Sequence, residues 1–94
     1  MVYVSDSPIH GKGLFAKDHI YAGDLIGILT GVPTTVDGEH VLWLDEKNGF
    51  HVHCDLRFIN HSDNPNAVYY DNLEVCALKD IEPGEEITHD YLGG

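Results

Sequence analysis

Apolar positions in this chain fall in short runs that never settle into a helical period, and Gly or Pro interrupts every candidate helix. Val2-Tyr3-Val4 alternates with the polar residues that follow. Leu25-Ile26-Gly27-Ile28-Leu29 is a continuous apolar run and predicts a buried strand. Val41-Leu42-Trp43-Leu44 and Phe50-His51-Val52-His53-Cys54 flank Asp45-Glu46-Lys47-Asn48-Gly49, where the Asn48-Gly49 step signals a hairpin. Ala67-Val68-Tyr69-Tyr70 and Leu73-Glu74-Val75-Cys76-Ala77-Leu78 flank Asp71-Asn72, a second tight turn. Short strands with turns at this spacing predict an all-β domain. The chain also echoes itself. Ile20-Tyr21-Ala22-Gly23-Asp24-Leu25-Ile26 and Ile81-Glu82-Pro83-Gly84-Glu85-Glu86-Ile87 share the pattern Ile-x-x-Gly-acid-x-Ile at an offset of 81 − 20 = 61 residues. Each copy reads as a strand end, a tight turn with Gly at its positive-φ position, and a new strand. Two copies suggest two related β lobes.

Ninety-four residues allow one domain, 1–94, with a modest core. Homodimerisation is one way such a chain adds buried area. The net charge of −11, with five Lys and Arg against sixteen Asp and Glu, argues against nucleic acid, whose phosphates need basic contacts. It suits a basic protein or peptide. Cys54 and Cys76 form neither a C-x-x-C nor a metal framework, and are expected to be buried thiols in a reducing compartment. Residues 1–6 lack a basic and an apolar region, and no run approaches the ~18 apolar residues of a membrane span. The expectation is a cytoplasmic protein that uses no membrane, or a nuclear one if the source is eukaryotic.

The polar runs carry the candidate chemistry. Arg57-Phe58-Ile59-Asn60-His61-Ser62-Asp63-Asn64-Pro65-Asn66 is dense in turn-formers and side-chain hydrogen-bonders that a core strand avoids. Asn60 can donate and accept at once, and His61 offers two ring nitrogens. Gly84-Glu85-Glu86-Ile87-Thr88-His89-Asp90-Tyr91 follows about twenty-five residues later. Gly11-Lys12-Gly13-Leu14-Phe15-Ala16 lies upstream, where glycine permits close approach of backbone to a ligand. In this order the three runs resemble the SET domain, the fold of protein-lysine methyltransferases that use S-adenosylmethionine. The resemblance covers roughly residues 8–31 and 57–91.

The resemblance implies a mainly β fold, a SET-domain β-clip with little helix. In it the Asn60-His61 segment threads beside the C-terminal strand as a pseudoknot, and Pro65 and Asn66 shape its exit. It implies methyl transfer from S-adenosyl-L-methionine to a lysine of a protein. Lys12, Gly13, Leu14, Phe15, Asn60 and His61 would bind cofactor. Phe58, His89 and Tyr91 would line the substrate channel, and Tyr91 would be catalytic, its hydroxyl beside the methyl. No metal is implied. The chain also departs from the family. Residues 32–56 replace a longer helical insert, and His40 and Leu42 stand where aromatics are expected. His89 replaces a Phe or Tyr. Only Leu92, Gly93 and Gly94 follow Tyr91, which leads to the expectation of an open site completed by a second copy, another chain or the substrate. Those departures keep a second reading alive, a non-catalytic binding or assembly module. A third reading, a metal-binding β protein, rests on His51 and His53, which share one strand face.

Overall fold

The computed structural model describes residues 1–70 and 72–90. Ten short strands and one 3-10 turn over Asp55–Phe58 make up its regular structure. The strands are β1 (Val2–Asp6), β2 (Lys12–Ala16), β3 (Leu25–Ile28), β4 (Gly31–Thr34), β5 (Val41–Trp43), β6 (Gly49–Val52), β7 (Asn60–His61), β8 (Ala67–Tyr69), β9 (Glu74–Ala77) and β10 (Glu86–His89). They form three sheets with the orders β1-β2-β10-β7, β3-β9-β8 and β4-β6-β5. The expected β-rich, nearly helix-free fold is what the chain adopts.

The internal echo has a structural basis. Ile20 and Ile81 pair with each other in an antiparallel bridge, exchanging N–H···O bonds of 2.9 and 2.7 Å. After each comes the same turn. Asp24 N donates to Tyr21 O with Gly23 at φ +88°, and Glu85 N donates to Glu82 O with Gly84 at φ +86°. A positive φ at the third residue is the type II signature, and Pro83 supplies the fixed φ of the second. Even the caps repeat. The Asp24 carboxylate accepts from Tyr21 N at 3.0 Å, and the Glu85 carboxylate from Glu82 N at 2.9 Å.

Each unit then hands its new strand to the other. β3 pairs antiparallel with β9, and β10 pairs antiparallel with β2. The buried residues follow the same offset: Leu14 and Val75, Ala16 and Ala77, Ile20 and Ile81, Ile26 and Ile87. Together with Leu29, Val52, Leu56, Ile59 and Ala67 they form one continuous core between the sheets. Burying such side chains, about 1.5–3 kcal/mol each for Val, Leu and Ile, is what holds strands this short in place.

Several local expectations need correction. The run Leu25–Leu29 is only half buried: Ile26 and Leu29 enter the core, whereas Leu25 and Ile28 are exposed. The register also shifts between Leu25 and Gly27, and the outer side of the run meets water. The thiols of Cys54 and Cys76 are unpaired and partly exposed, not buried. Cys76 alternates with the buried Val75 and Ala77 and so faces outward. The β5–β6 hairpin forms, but Gly49 lies in β6 opposite Trp43. Its loop is held by Asp45, whose carboxylate accepts from Lys47 N, Asn48 N and Asn48 Nδ2 at 2.7–2.8 Å. Those bonds hold the exposed Asp45 carboxyl below its ordinary pKa. β4 was not foreseen because it contains Pro33. Among the described residues it pairs only with β6, an edge position where the missing N–H is tolerated.

Asn66 is buried and stands in for a strand neighbour of β10. Its Nδ2 donates to Glu86 O at 2.8 Å and its Oδ1 accepts from Thr88 N at 2.8 Å. Replacement by Ala strands both backbone groups. Asn66→Ala is therefore expected to cost about 1–3 kcal/mol, read as a lower urea midpoint with an unchanged slope. An unchanged midpoint would show that water replaces the amide without penalty.

Candidate functional site

The site lies where the two-fold likeness of the lobes breaks. In one lobe β3 stays with β9 to Ile28↔Glu74, and Leu29 N continues the ladder to Leu73 O at 2.8 Å. In the other, β10 pairs with β2 through Glu86↔Phe15 and Ile87↔Leu14. From Thr88 it pairs in parallel with β7, Thr88↔Asn60 and His89↔His61. Lys12 O, which corresponds to Leu73 O, is met instead by the Asn60 side chain at 3.1 Å. A polar side chain thus takes the place of a strand, and the opening beside it is a cleft of about 780 Å³.

Asn60 is held firmly. Its Nδ2 donates toward Glu86 Oε2 (2.9 Å), His10 O (3.0 Å), Lys12 O (3.1 Å) and Ser7 Oγ (3.1 Å). All four can accept, so the amide has one orientation. Among the described residues no donor meets Oδ1. Behind it, Ser7 Oγ donates to the Glu86 carboxylate at 2.8 Å and accepts from Ile9 N at 3.0 Å. Gly13 sits against this carboxylate, and a Cβ there would overlap Glu86 Oε2 and lie 3.0 Å from Ser7 Cβ.

The other predicted residues are placed as follows. Lys12 lines the cleft, with its ammonium on Asp6 at 2.6 Å; that contact lowers the pKa of the exposed Asp6 carboxyl. Leu14 is fully buried, and Phe15 stacks on Tyr3 at 5.6 Å. Neither Gly13, Leu14 nor Phe15 lines the cleft. Phe58 does line it, edge-on to His40 at 5.7 Å, with the Arg57 guanidinium 4.2 Å above its ring. The His61 ring lies between Asp63 (3.1 Å) and Asp90 (3.8 Å), just outside the cleft wall. His89 lines the cleft and stacks on Tyr69 at 3.9 Å and 5°. Tyr91 lies outside the described residues. Lys12, Phe58, Asn60 and His89 therefore come together from sequence positions up to 77 apart.

Sequence reasoning missed Ser7, Glu86, Tyr69 and Trp43. Glu86 follows the turn acid Glu85 in sequence, and only the place of its carboxylate against Gly13 and Ser7 reveals the network. Tyr69-Tyr70 read simply as strand residues. Of the metal reading, the rings of His51 and His53 are 4.7 Å apart, and among the described residues no three His, Cys, Asp or Glu side chains are grouped to hold an ion.

Burial pushes the His89 imidazole below its ordinary pKa of 6.5; the neighbouring His61 acts the same way, while the Ala67 carbonyl and Asp90 oppose it. A base whose folded pKa is depressed binds protons more weakly folded than unfolded. Its contribution is fully present above pH 6.5 and is lost as the pH falls toward the folded value. Wild-type stability is thus expected to drop from pH 7 toward pH 5 more steeply than that of His89→Phe, which keeps a ring on Tyr69. Parallel slopes in denaturant titrations would contradict this.

Known proteins share the sequence pattern and the fold of this chain. The sequence profile of the SET domain matches residues 11–92. A Neurospora crassa H3 lysine-9 specific histone-lysine N-methyltransferase, dim-5, is 34% identical over 93 residues, covering 86% of this chain and 25% of that protein. The Homo sapiens histone-lysine N-methyltransferase 2B is 32% identical over 114 residues, covering 96% of this chain and 4% of that protein. The chain spans a quarter or less of the length of these relatives. In fold, it superposes on a chain of the Chaetomium thermophilum polycomb repressive complex 2 with a TM-score of 0.84 at 22% identity, covering all of this chain and 15% of the other. A Plasmodium falciparum protein proposed to be a histone methyltransferase gives 0.79 at 20% identity, covering 100% and 99%.

Proposed function

This chain belongs to the SET domain family, and from that premise we propose that it transfers a methyl group from S-adenosyl-L-methionine to a lysine side chain of a basic protein. The observation that carries the reading is the cleft in which Lys12, Phe58, Asn60 and His89 meet, of a size that suits a small organic ligand. The donor set fits the cofactor. A carbonyl oxygen, Asn60 Oδ1, is available for an ammonium, and the Gly11-Lys12 backbone lies beside it without a Cβ at Gly11. When bound, the cofactor supplies an electrophilic methyl on a sulfonium.

The chain's own residues do the rest. Asn60 and the Gly11-Lys12 backbone hold the ligand, and the resemblance would add the His61 segment. Leu14 and Phe15 serve through strand β2, whose side chains anchor the backbone that faces the cleft. Phe58, Tyr69 and His89 wall the opening and exclude water, which keeps a lysine amine from competing with solvent. A lysine of pKa ~10.4 must lose its proton to react. Burial disfavours the charged form of His89, which works against a positive charge beside that amine. Glu39 and Asp90 place acidic groups on the lining and attract a cationic side chain. By the family resemblance, Tyr91 would set its hydroxyl against the amine and orient it.

Calorimetric titration of S-adenosylhomocysteine into the folded protein tests this. Micromolar binding is expected. No detectable heat in a folded sample would defeat the cofactor reading and leave a SET fold acting as a binding module.

A further inference from the structure

We infer that Glu86 is a positioning residue for the cofactor site, acting through Ser7 and Asn60 to keep the Asn60 carbonyl turned toward the cofactor's ammonium. The inference rests on the proposed cofactor reading and adds a residue that touches no ligand.

An ionised carboxylate accepts and never donates. Glu86 therefore fixes the direction of every hydrogen bond around it. Ser7 Oγ must spend its one proton on the carboxylate, at 2.8 Å. Its lone pairs are then left to receive Ile9 N at 3.0 Å and Asn60 Nδ2 at 3.1 Å. Asn60 must present its NH2 to the carboxylate, at 2.9 Å, and so must present Oδ1 on the other side. The same NH2 reaches His10 O and Lys12 O, which ties the arch between β1 and β2 to the floor of the cleft. Gly13 lets this happen, because any Cβ there would displace the carboxylate. The corresponding position in the other lobe, 61 residues earlier, is the exposed Leu25, with no such network. The acid is specific to the lobe that carries the cleft.

Substitution by Gln keeps the shape and removes the one-way character. Its NH2 must face either Ser7 or Asn60, both of which are donors here. The NH2 of Asn60 then keeps only His10 O and Lys12 O as acceptor-only partners, which loosens the hold that aims Oδ1 at the ammonium. The two ligands that separate this role from general support are S-adenosylhomocysteine, which carries the ammonium, and 5′-methylthioadenosine, which lacks the whole amino-acid portion. Glu86→Gln is expected to weaken S-adenosylhomocysteine about tenfold while leaving methylthioadenosine unchanged. Glu86→Asp keeps an acceptor-only group and is expected to restore most of the preference.

If Gln and Asp variants shift both ligands equally, the residue is structural support and the inference fails. If Glu86→Gln binds S-adenosylhomocysteine like wild type, it fails also. Wild type that binds neither ligand overturns the cofactor reading, and this inference with it; the two failures are thus distinct. Should the Gln variant not fold, the wild-type Asn60 side-chain NH2 protons decide the matter by NMR. Slow exchange with water, unchanged when S-adenosylhomocysteine binds, is expected. Exchange as fast as a free amide would show that the group is not pinned.

Discussion

Asn60→Ala is expected to lower the affinity for S-adenosylhomocysteine about a hundredfold and to cost the fold about 1–3 kcal/mol. Both effects come from one side chain with two faces. Its nitrogen serves the arch and the Glu86 carboxylate, at 2.9–3.1 Å. Removing it leaves a half-buried carboxylate with one fewer donor and strips two backbone carbonyls of theirs. The unmet acceptors supply the stability cost. The arch from Ser7 to Lys12 then loosens, and Gly11 and Lys12 no longer hold the cleft wall at a fixed distance. The oxygen is the second face, and its loss removes the acceptor for the ammonium. Denaturant titration and calorimetry read the two effects separately. A variant that is destabilised yet binds normally would show that Asn60 is only a structural tie.

Gly31→Ala is expected to be the most damaging small change in the fold. A Cβ at Gly31 would fall on the carbonyl oxygen of His51, with His51 C 2.9 Å and His53 N 3.1 Å away. These neighbours are backbone of the paired strand, so no side chain can rotate aside. β4 and β6 must separate where Gly31 faces Val52. Overpacking of this kind costs about 3 kcal/mol, which lowers Tm by about 15 °C in a domain of this size. The damage reaches the cleft because, among the described residues, β5 pairs with β6 alone, through Val41↔His51, Leu42↔Phe50 and Trp43↔Gly49. Trp43 is the single tryptophan. Its emission should shift to the red below the melting transition. A Tm within about 2 °C of wild type would mean that the sheet adjusts freely.

The β-rich architecture was legible because turn chemistry punctuates the chain so densely. The Ile-x-x-Gly-acid-x-Ile echo was legible too, and its meaning is now physical: two copies pair through Ile20 and Ile81 and exchange strands. What sequence could not tell was which side of a run faces water. Leu25–Leu29 is apolar throughout, yet Leu25 and Ile28 face water. Turn residues also misled. Asn48-Gly49 signals a hairpin, but Asp45 builds its loop. In the β8–β9 turn the left-handed residue is Leu73, at φ +70°, where Gly or Asn would be expected.

The convergence of some candidate residues on one cleft was legible. Asn60, Phe58, Lys12 and His89 meet at one cleft, as residues of a shared site must. Leu14 and Phe15 follow the same motif but point into the core and onto Tyr3, because alternate residues of a strand face opposite ways. Ser7 and Glu86 gave no signal, since a Ser near an arch and a Glu after a turn are ordinary surface residues. Their partnership spans 79 residues and exists only once the strands are paired.

The central claim is methyl transfer, and one assay tests it directly. Wild type and Tyr91→Phe would each be incubated with S-adenosylmethionine labelled in the methyl group and with a lysine-rich histone tail. Label on lysine is expected with wild type, and greatly reduced label with Tyr91→Phe, although both bind S-adenosylhomocysteine alike. Label carried equally by both would remove Tyr91 from the mechanism. No label from a folded, cofactor-binding wild type would contradict the proposed activity toward such tails.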